Sequence, residues 1–336
     1  MTDRKVPRKR EKSVNELSEG VLQGNRAVLA QAITLIESNA PRHFEKAQAL
    51  LNQIIPSSGK SIRIGISGVP GAGKSTFIEA FGIYLCELGH KVAVLAVDPS
   101  SSVTGGSILG DKTRMELLSR HPHAYVRPSP SAGTLGGVAK KTRETILLCE
   151  SAGYDVIIVE TVGVGQSEVA VRSMVDIFLL LALTGAGDEL QGMKKGIMEL
   201  VDVLVINKAD GDNEQKALRA KQEFSRILHF LRPATKGWSS KALTCSALYK
   251  IGIDTVWNTI LEYETTTKSS NVFQERREAQ MKDWFYSMIV DRLQSKFFQH
   301  PTIKQQLPVI ENQILTGKLS VGHAVNELFD RYEQPK

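Results

Sequence analysis

The sequence has few of the residues that build structural metal sites or disulfide frameworks. Among 336 residues there are three cysteines, Cys86, Cys149 and Cys245, which lie far apart and form no CxxC pair. Small buried thiols in a reducing compartment explain them better than a metal–thiolate cluster does. His121 and His123 form the only close pair of histidines, and a surface turn is favoured there over a metal site.

Long apolar runs and a basic–aromatic pattern are also missing. The longest apolar run, Ile177 to Leu183, is far shorter than the ~20 residues that cross a bilayer. No secretory signal is evident, so we expect a cytoplasmic protein that does not bind membranes. The first twelve residues hold six basic and two acidic side chains but no aromatic ones. This composition predicts a solvated tail and no nucleic-acid partner.

The remaining composition is that of a globular protein, with 42% hydrophobic and 23% charged residues. We predict three regions. Residues 1–58 form a basic tail and a helical extension that starts with a capping box at Ser13 and is interrupted by Pro41. Residues 59–264 form the main α/β domain. Residues 265–336, which begin with a polar linker at 265–270, form a helical C-terminal region.

In the main domain, continuous apolar runs alternate with helical patterns. Such runs are typical of parallel strands that are covered on both faces. The predicted strands are 62–67, 91–98, 124–127, 154–161, 176–183, 201–207 and 242–246. The predicted helices are 75–88, 110–119, 136–151, 166–174, 190–200, 214–231 and 252–263. This alternation predicts a mostly parallel, doubly wound sheet whose ligands bind at the carboxyl ends of the strands.

The first of these strands runs into a phosphate-binding loop. Residues 68–75 read GVPGAGKS, a complete GxxxxGK[ST] motif between a strand and a helix. The glycines let backbone N–H groups close around phosphate oxygens, and the helix presents its positive end to them. Lys74 is expected to reach the β- and γ-phosphates. The predicted phosphate-contacting residues are Gly68, Val69, Pro70, Gly71, Ala72, Gly73, Lys74, Ser75 and Thr76.

A second motif predicts which base is bound. Asn207, Lys208 and Asp210 form an NKxD motif after the apolar run 203–206. The Asp210 carboxylate can accept hydrogen bonds from guanine N1–H and N2–H₂, a donor pair that adenine lacks. Asn207 is expected to brace the loop, and the Lys208 stem to cover the base plane. Ser246, Ala247 and Leu248 follow a later strand and are the predicted second base loop.

Acidic residues at strand ends predict a magnesium site. Asp98 and Glu160 each end an apolar strand, and Asp111 follows a glycine-rich stretch. Together with the Ser75 hydroxyl they are the predicted Mg²⁺ ligands. Lys74, Asp98 and Glu160 are the predicted catalytic residues.

Three glycine-bearing segments, 99–111, 160–168 and 184–196, follow strand ends. In many nucleotide-dependent switches, such loops become ordered when they contact the γ-phosphate and Mg²⁺, and they are released after hydrolysis. Gln166 is a candidate for positioning the attacking water. No internal arginine finger is evident, so hydrolysis is expected to be slow without a partner or dimer contact.

Taken together, these motifs resemble the GTPase metallochaperones of adenosylcobalamin-dependent acyl-CoA mutases, the MeaB and MMAA type that was also labelled ArgK. The resemblance covers roughly residues 14–336 and is carried by GVPGAGKST, VDPSS, TGGSILGDKTRM, ETVGVGQSE, DELQGMKKGIME and NKAD. It implies a P-loop GTPase of the SIMIBI class with helical extensions, and a third switch around Asp188 and Lys194.

The resemblance also implies partners and cofactors. It implies Mg²⁺ and GTP or GDP on this chain, and cobalamin on a partner, methylmalonyl-CoA mutase or a close relative. The GTPase would gate cobalamin loading and protect the mutase. It further implies a homodimer formed by 265–336, although the apolar residues of that region fit packing on the main domain equally well. Two alternatives stay open: a metal-inserting GTPase, and an ATP-using kinase of a transport-system binding protein, against which the NKxD motif argues.

Overall fold

The described strands form one seven-stranded sheet. The computed structural model of the chain describes residues 11–97, 115–128, 135–161, 167–184 and 195–333. The strand order is β3-β2-β4-β1-β5-β6-β7, and all neighbouring strands are parallel. The predicted doubly wound α/β fold is therefore confirmed. The strands are β1 Ile62–Gly68, β2 Val92–Val97, β3 Ala124–Arg127, β4 Val156–Thr161, β5 Ile177–Ala182, β6 Val203–Ile206 and β7 Lys241–Thr244.

Helices connect the strands and extend both ends of the described chain. The capping box predicted at Ser13 is present, since its hydroxyl accepts from the Glu16 amide while the Glu16 carboxylate accepts from the Ser13 amide. The helices are α1 Val14–Leu22, α2 Arg26–Glu37, α3 Pro41–Ile54, α4 Lys74–Glu87, α5 Glu116–Arg120, α6 Leu135–Ser151, α7 Ser167–Arg172, α8 Lys195–Met198, α9 Glu214–Phe230, α10 Ile253–Ser269, α11 Val272–Phe298, α12 Pro301–Leu315 and α13 Val321–Glu333.

The sheet is covered on both faces, as its continuous apolar strands require. In β5, Phe178 and Leu180 belong to one core and Leu179 to the other, because successive strand residues point to opposite faces. The first core also contains residues of α1, α2, α3, α6 and α9. The second contains residues of α4 and α10. The N-terminal helices are therefore part of the main hydrophobic core.

Of two sequence expectations about breaks in the chain, one is wrong and one is confirmed. The polar run 265–270 is not a linker, because α10 continues to Ser269. There the Thr267 hydroxyl is buried and donates to the Tyr263 carbonyl at 2.7 Å, so it is satisfied within the helix. The helical extension is interrupted at Pro41 as predicted: α2 ends at Glu37, and Pro41 is the first residue of α3, a position where its missing N–H is harmless.

A buried ion pair fixes the amino-terminal edge of the sheet. The Glu150 carboxylate accepts from Arg63 Nε at 2.8 Å and Arg63 Nη2 at 3.0 Å, from the Ser61 hydroxyl at 2.6 Å and from the Gly59 amide at 2.8 Å. Burial alone would raise the pKa of Glu150, but the hydrogen bonds and charge of Arg63 lower it below its usual range. The carboxylate is thus held in its charged form.

Replacing Glu150 by glutamine should lower the free energy of unfolding at pH 7 by about 3 kcal/mol, because it leaves the buried Arg63 charge without its counter-ion. The folded-state pKa of Glu150 is depressed, so its stabilisation is present above the unfolded pKa and is lost as pH falls through the folded pKa. Urea unfolding of both proteins from pH 7 to pH 3 measures this. A difference that stays constant over that range would contradict the assignment.

The chain divides into two compact units, up to Arg276 and from Arg277 onward. The second has its own small core of Ile303, Ile310, Ala324 and Leu328. None of the residues of α11 is buried. Its exposed apolar side chains recur at helical spacing: Met281, Phe285, Tyr286, Ile289, Val290 and Leu293. No helix in the described ranges combines the length and apolar character that crossing a membrane requires.

Candidate nucleotide-binding site

The phosphate-binding loop joins the carboxyl end of a central strand to a helix. β1 ends at Gly68 and α4 begins at Lys74, which is the predicted strand–loop–helix order. β1 lies between β4 and β5 in the sheet, so the loop stands at the middle of the carboxyl edge. At such an edge the free N–H groups of the α4 N-terminus would favour a bound anion.

The loop's backbone conformation depends on glycine. Gly71 and Gly73 both have φ of +80°, a region that other residues rarely adopt. A Cβ on Gly73 would also lie only 2.9 Å from Asn207 Nδ2. The close approach of the loop to the NKxD segment therefore requires a residue without a side chain at this position.

Lys74 lies partly buried inside the loop. Its Nζ donates to the Gly68 carbonyl oxygen at 2.9 Å, so the ammonium group spans the loop from its end to its start. Burial lowers the pKa of Lys74, and the negative charges of Glu160 and Glu168 act in the opposite direction. A cation inside a phosphate loop, under the electrostatic influence of two carboxylates, suits a polyphosphate that is carried with a metal ion.

Asn207 connects the phosphate loop to both base-binding segments. Its Nδ2 donates to the Ala72 carbonyl at 2.8 Å, and its Oδ1 accepts from the Ala247 amide at 3.1 Å. The Asn207 side chain is buried, and Ala72 lies in the middle of the loop. One amide side chain therefore holds three segments that are distant in sequence at fixed spacing.

The two predicted base loops also contact each other directly. Ser246 donates its hydroxyl proton to Asp210 Oδ2 at 2.5 Å, which orients that carboxylate. Lys208 has φ of +60°, a strained conformation for a residue with a side chain. Its Cε would lie 3.8 Å from a Cβ on Gly73, so its stem runs beside the phosphate loop. Leu248 is mostly exposed.

The donor set at the loop fits a hard divalent cation. Glu160 is buried at the end of β4 and pairs with Ile66 of β1, two residues before the loop. Its carboxylate and the Ser75 hydroxyl in the first turn of α4 are the oxygen ligands that Mg²⁺ prefers. Asp98, Asp111, Gln166, Asp188 and Lys194 lie outside the described residues, so their predicted roles stay predictions.

Three polar residues near the site were not singled out from the sequence. Thr161 donates its hydroxyl proton to Ser67 Oγ at 2.8 Å, and both are fully buried, so the end of β4 is tied to the residue before the loop. Glu168, at the start of α7, is 3% exposed and acts electrostatically on Lys74. Glu168 lies in the ETVGVGQSE string, but a polar residue at a helix start is too common to indicate a buried site.

No metal-insertion chemistry is indicated by the part of the chain that the structure describes. Within those ranges no three His, Cys, Asp or Glu side chains gather as a metal site. His121 and His123 pack edge to face, with ring centroids 5.7 Å apart. All three cysteines are buried free thiols, and burial raises the pKa of Cys86 to about 11 and that of Cys245 to about 12.

Comparison with known proteins decides the family. The profile of the family described as "Methylmalonyl Co-A mutase-associated GTPase MeaB" matches residues 29–302. The chain belongs to this family. It is 49% identical to the GTPase ArgK of Escherichia coli over 300 residues, which cover 88% of this chain and 91% of that protein. The fold is therefore that of a P-loop GTPase.

Two further relatives cover almost the whole chain. The mitochondrial methylmalonic aciduria type A homolog of Mus musculus is 46% identical over 335 residues, 97% of this chain and 81% of the mouse protein. A crystal structure described as a LAO/AO transport system kinase superposes with a TM-score of 0.76 at 39% identity. It covers 97% of this chain and 99% of that one.

Proposed function

We propose that this MeaB-family chain binds GTP and GDP with Mg²⁺ and hydrolyses GTP. The observation that carries the proposal is the Asn207 side chain, which joins the phosphate loop to the segments bearing Asp210 and Ser246. This buried side chain sets the distance between the phosphate loop and the two base loops. A guanine nucleotide that spans this distance would meet Lys74 with its phosphates and Asp210 with its base. The guanine-selective Asp210 likewise argues against the ATP-using kinase.

The residues divide the chemistry between them. The loop amides and Lys74 would hold the phosphates and offset charge on the γ-phosphate as its bond to the β-phosphate breaks. Ser75 and Glu160 would hold Mg²⁺, with Asp98 and Asp111 as further predicted ligands. When bound, the ion would neutralise part of the negative charge of the phosphates. We expect slow hydrolysis without a partner.

We further propose that the partner is an adenosylcobalamin-dependent acyl-CoA mutase. The family description names association with methylmalonyl-CoA mutase, and that supports this partner. In the proposed role, nucleotide state gates the loading of cobalamin, which is bound by the mutase, and protects the mutase from inactivation. The glycine-bearing segments 99–111, 160–168 and 184–196 would report the γ-phosphate to that partner.

Mixing the purified chain with methylmalonyl-CoA mutase tests this role. Co-elution in gel filtration should depend on whether GDP or a non-hydrolysable GTP analogue is present. GTP turnover should rise at least about tenfold with the mutase. Transfer of adenosylcobalamin to the mutase, followed by its absorbance, should also depend on the nucleotide. A mutase that neither binds the chain nor changes its turnover would remove the partner from the proposal.

We also propose that α11 forms a homodimer interface, since its exposed apolar face needs a cover. Replacing Phe285 and Leu293, 61% and 62% exposed, by glutamate should yield monomers in light scattering. Glutamate keeps helix propensity while adding charge. Phe230→Glu is the matched control, because Phe230 is 87% exposed but lies in the first unit. A dimer that survives the double substitution would reject this interface.

A further inference from the structure

A buried polar cluster lies at the amino ends of β5 and β6, the opposite edge of the sheet from the nucleotide loops. Asp202, which precedes β6, has a fully buried side chain. Its Oδ2 accepts from Arg172 Nη1 at 3.0 Å and from the Phe178 amide at 2.9 Å. Its Oδ1 accepts from Arg172 Nη2 at 3.2 Å and from the Thr235 hydroxyl. Arg172, the last residue of α7, is thereby clamped to the sheet.

The same cluster holds the first turns of α11. Arg276 Nη1 donates to the Tyr263 hydroxyl oxygen at 2.8 Å and to the Asp176 carbonyl oxygen, and it lies 3.9 Å from Asp202 Oδ2. Arg276 Nη2 donates to the Thr235 hydroxyl oxygen, which also accepts from Arg172 Nη2 at 3.1 Å. One buried hydroxyl is therefore shared by an arginine of α7 and an arginine of α11.

Because the cluster is buried, its members depend on one another for charge and hydrogen-bond partners. The side chains of Arg172, Asp202 and Arg276 are 11%, 0% and 16% exposed. Moving one arginine away would leave a desolvated charge and a shared hydroxyl with fewer partners, which is unfavourable in a low-dielectric interior. A displacement of α7 is thus opposed unless Thr235 and Arg276 move with it.

The two helices that meet here have different neighbours along the chain. α7 begins at Ser167, seven residues after Glu160, and its Glu168 acts on Lys74 of the phosphate loop. α11 continues from Arg277 into the second compact unit. The cluster therefore lies between a helix influenced by the nucleotide and a helix that enters the C-terminal unit.

We propose that Arg172, Asp202, Thr235 and Arg276 form a positioning cluster that links α7 to the base of α11, so that the presence of the γ-phosphate changes the stability of α11. This proposal rests on the proposed guanine nucleotide site. It adds the residues through which the presence or absence of the γ-phosphate affects α11. By linkage, weakening the anchor of α11 must also change the relative affinities for GDP and GTP.

A merely stabilising ion pair is the competing explanation, and the chain offers a matched control for it. Arg63 and Glu150 form a pair at the same edge of the sheet, with side chains 14% and 0% exposed. That pair joins β1 to the end of α6, and the side-chain hydrogen bonds that the structure describes for it reach neither α7 nor α11. Arg63→Gln should therefore lower stability without altering communication.

The experiment is amide hydrogen exchange of peptides from 272–298, with saturating GDP and with a non-hydrolysable GTP analogue. Full-length wild type, Arg276→Gln, Thr235→Val and Arg63→Gln are compared. Thr235→Val keeps the side-chain shape and provides a second test of the cluster if Arg276→Gln folds poorly.

In wild type and Arg63→Gln the two nucleotides should give different exchange rates in α11. In the two cluster variants that difference should fall at least about threefold, and the ratio of GDP to GTP-analogue dissociation constants should shift about fivefold. Arg276→Lys should restore part of both.

Different outcomes would contradict the role of the cluster and the proposed GTPase function. Wild type that binds both nucleotides but shows equal exchange in α11 overturns the cluster's role and leaves the GTPase proposal standing. Equal losses of the nucleotide effect in Arg63→Gln and the cluster variants also overturn it, because general destabilisation would then suffice. Wild type that binds neither nucleotide overturns the proposed function and the inference together.

Discussion

Replacing Lys74 by alanine is expected to lower GTP turnover by at least about 100-fold. Lys74 is the cation that lies inside the phosphate loop, with its Nζ 2.9 Å from the Gly68 carbonyl oxygen. Glu160 and Glu168 both act on it electrostatically. Without the ammonium group, these buried carboxylates would face the nucleotide phosphates with less compensation, so ground-state binding and transition-state stabilisation both weaken.

Phosphate release under saturating GTP measures the Lys74→Ala effect, and calorimetry with GDP separates binding from chemistry. Lys216→Ala is the control, since Lys216 is an exposed lysine on α9 far from the loop in sequence. The control should hydrolyse GTP at the wild-type rate. Lys74→Ala with turnover near that of the control would show that another group carries the phosphate chemistry.

Replacing Asp210 by asparagine is expected to exchange guanine for xanthine selectivity. The substitution turns one acceptor into a donor, which matches the C2 carbonyl of xanthine and opposes the N2 amino group of guanine. We expect GDP affinity to fall at least about 100-fold and xanthosine diphosphate to bind better than GDP, because a buried donor or acceptor left unpaired discriminates strongly.

The contact with Ser246 makes Asp210→Asn a specific probe. Ser246 donates to Asp210 Oδ2 at 2.5 Å, and an asparagine amide oxygen can accept the same bond. The loop should therefore keep its position while the base preference changes. Calorimetric titration with GDP and xanthosine diphosphate measures this, and Asp212→Asn, in the exposed turn that follows, is the control. Unchanged selectivity in Asp210→Asn would count against guanine recognition by this residue.

The sequence predicted best where one local pattern dominates. The apolar runs predicted β4 and β5 correctly because a strand that is buried on both faces needs apolar side chains at every position, which gives a continuous apolar run. The phosphate loop was found at Gly68–Ser75 because its glycine spacing, strand and helix are all local. The linker prediction for 265–270 was wrong because the threonine and serine hydroxyls of this run donate to helix carbonyl oxygens, as Thr267 does to Tyr263. With these hydroxyls satisfied, the residues stay in the helix.

What the sequence determined by itself is the P-loop fold and the order of the elements, since both depend on residue types at fixed spacing along one stretch of chain. Tertiary structure alone decided how Asn207 joins Ala72 to Ala247, that Glu168 is buried within electrostatic reach of Lys74, and that Arg172 and Arg276 share the Thr235 hydroxyl. Those contacts join residues tens to more than a hundred positions apart. They form only when the parallel strands bring their ends together, so no local pattern could encode them.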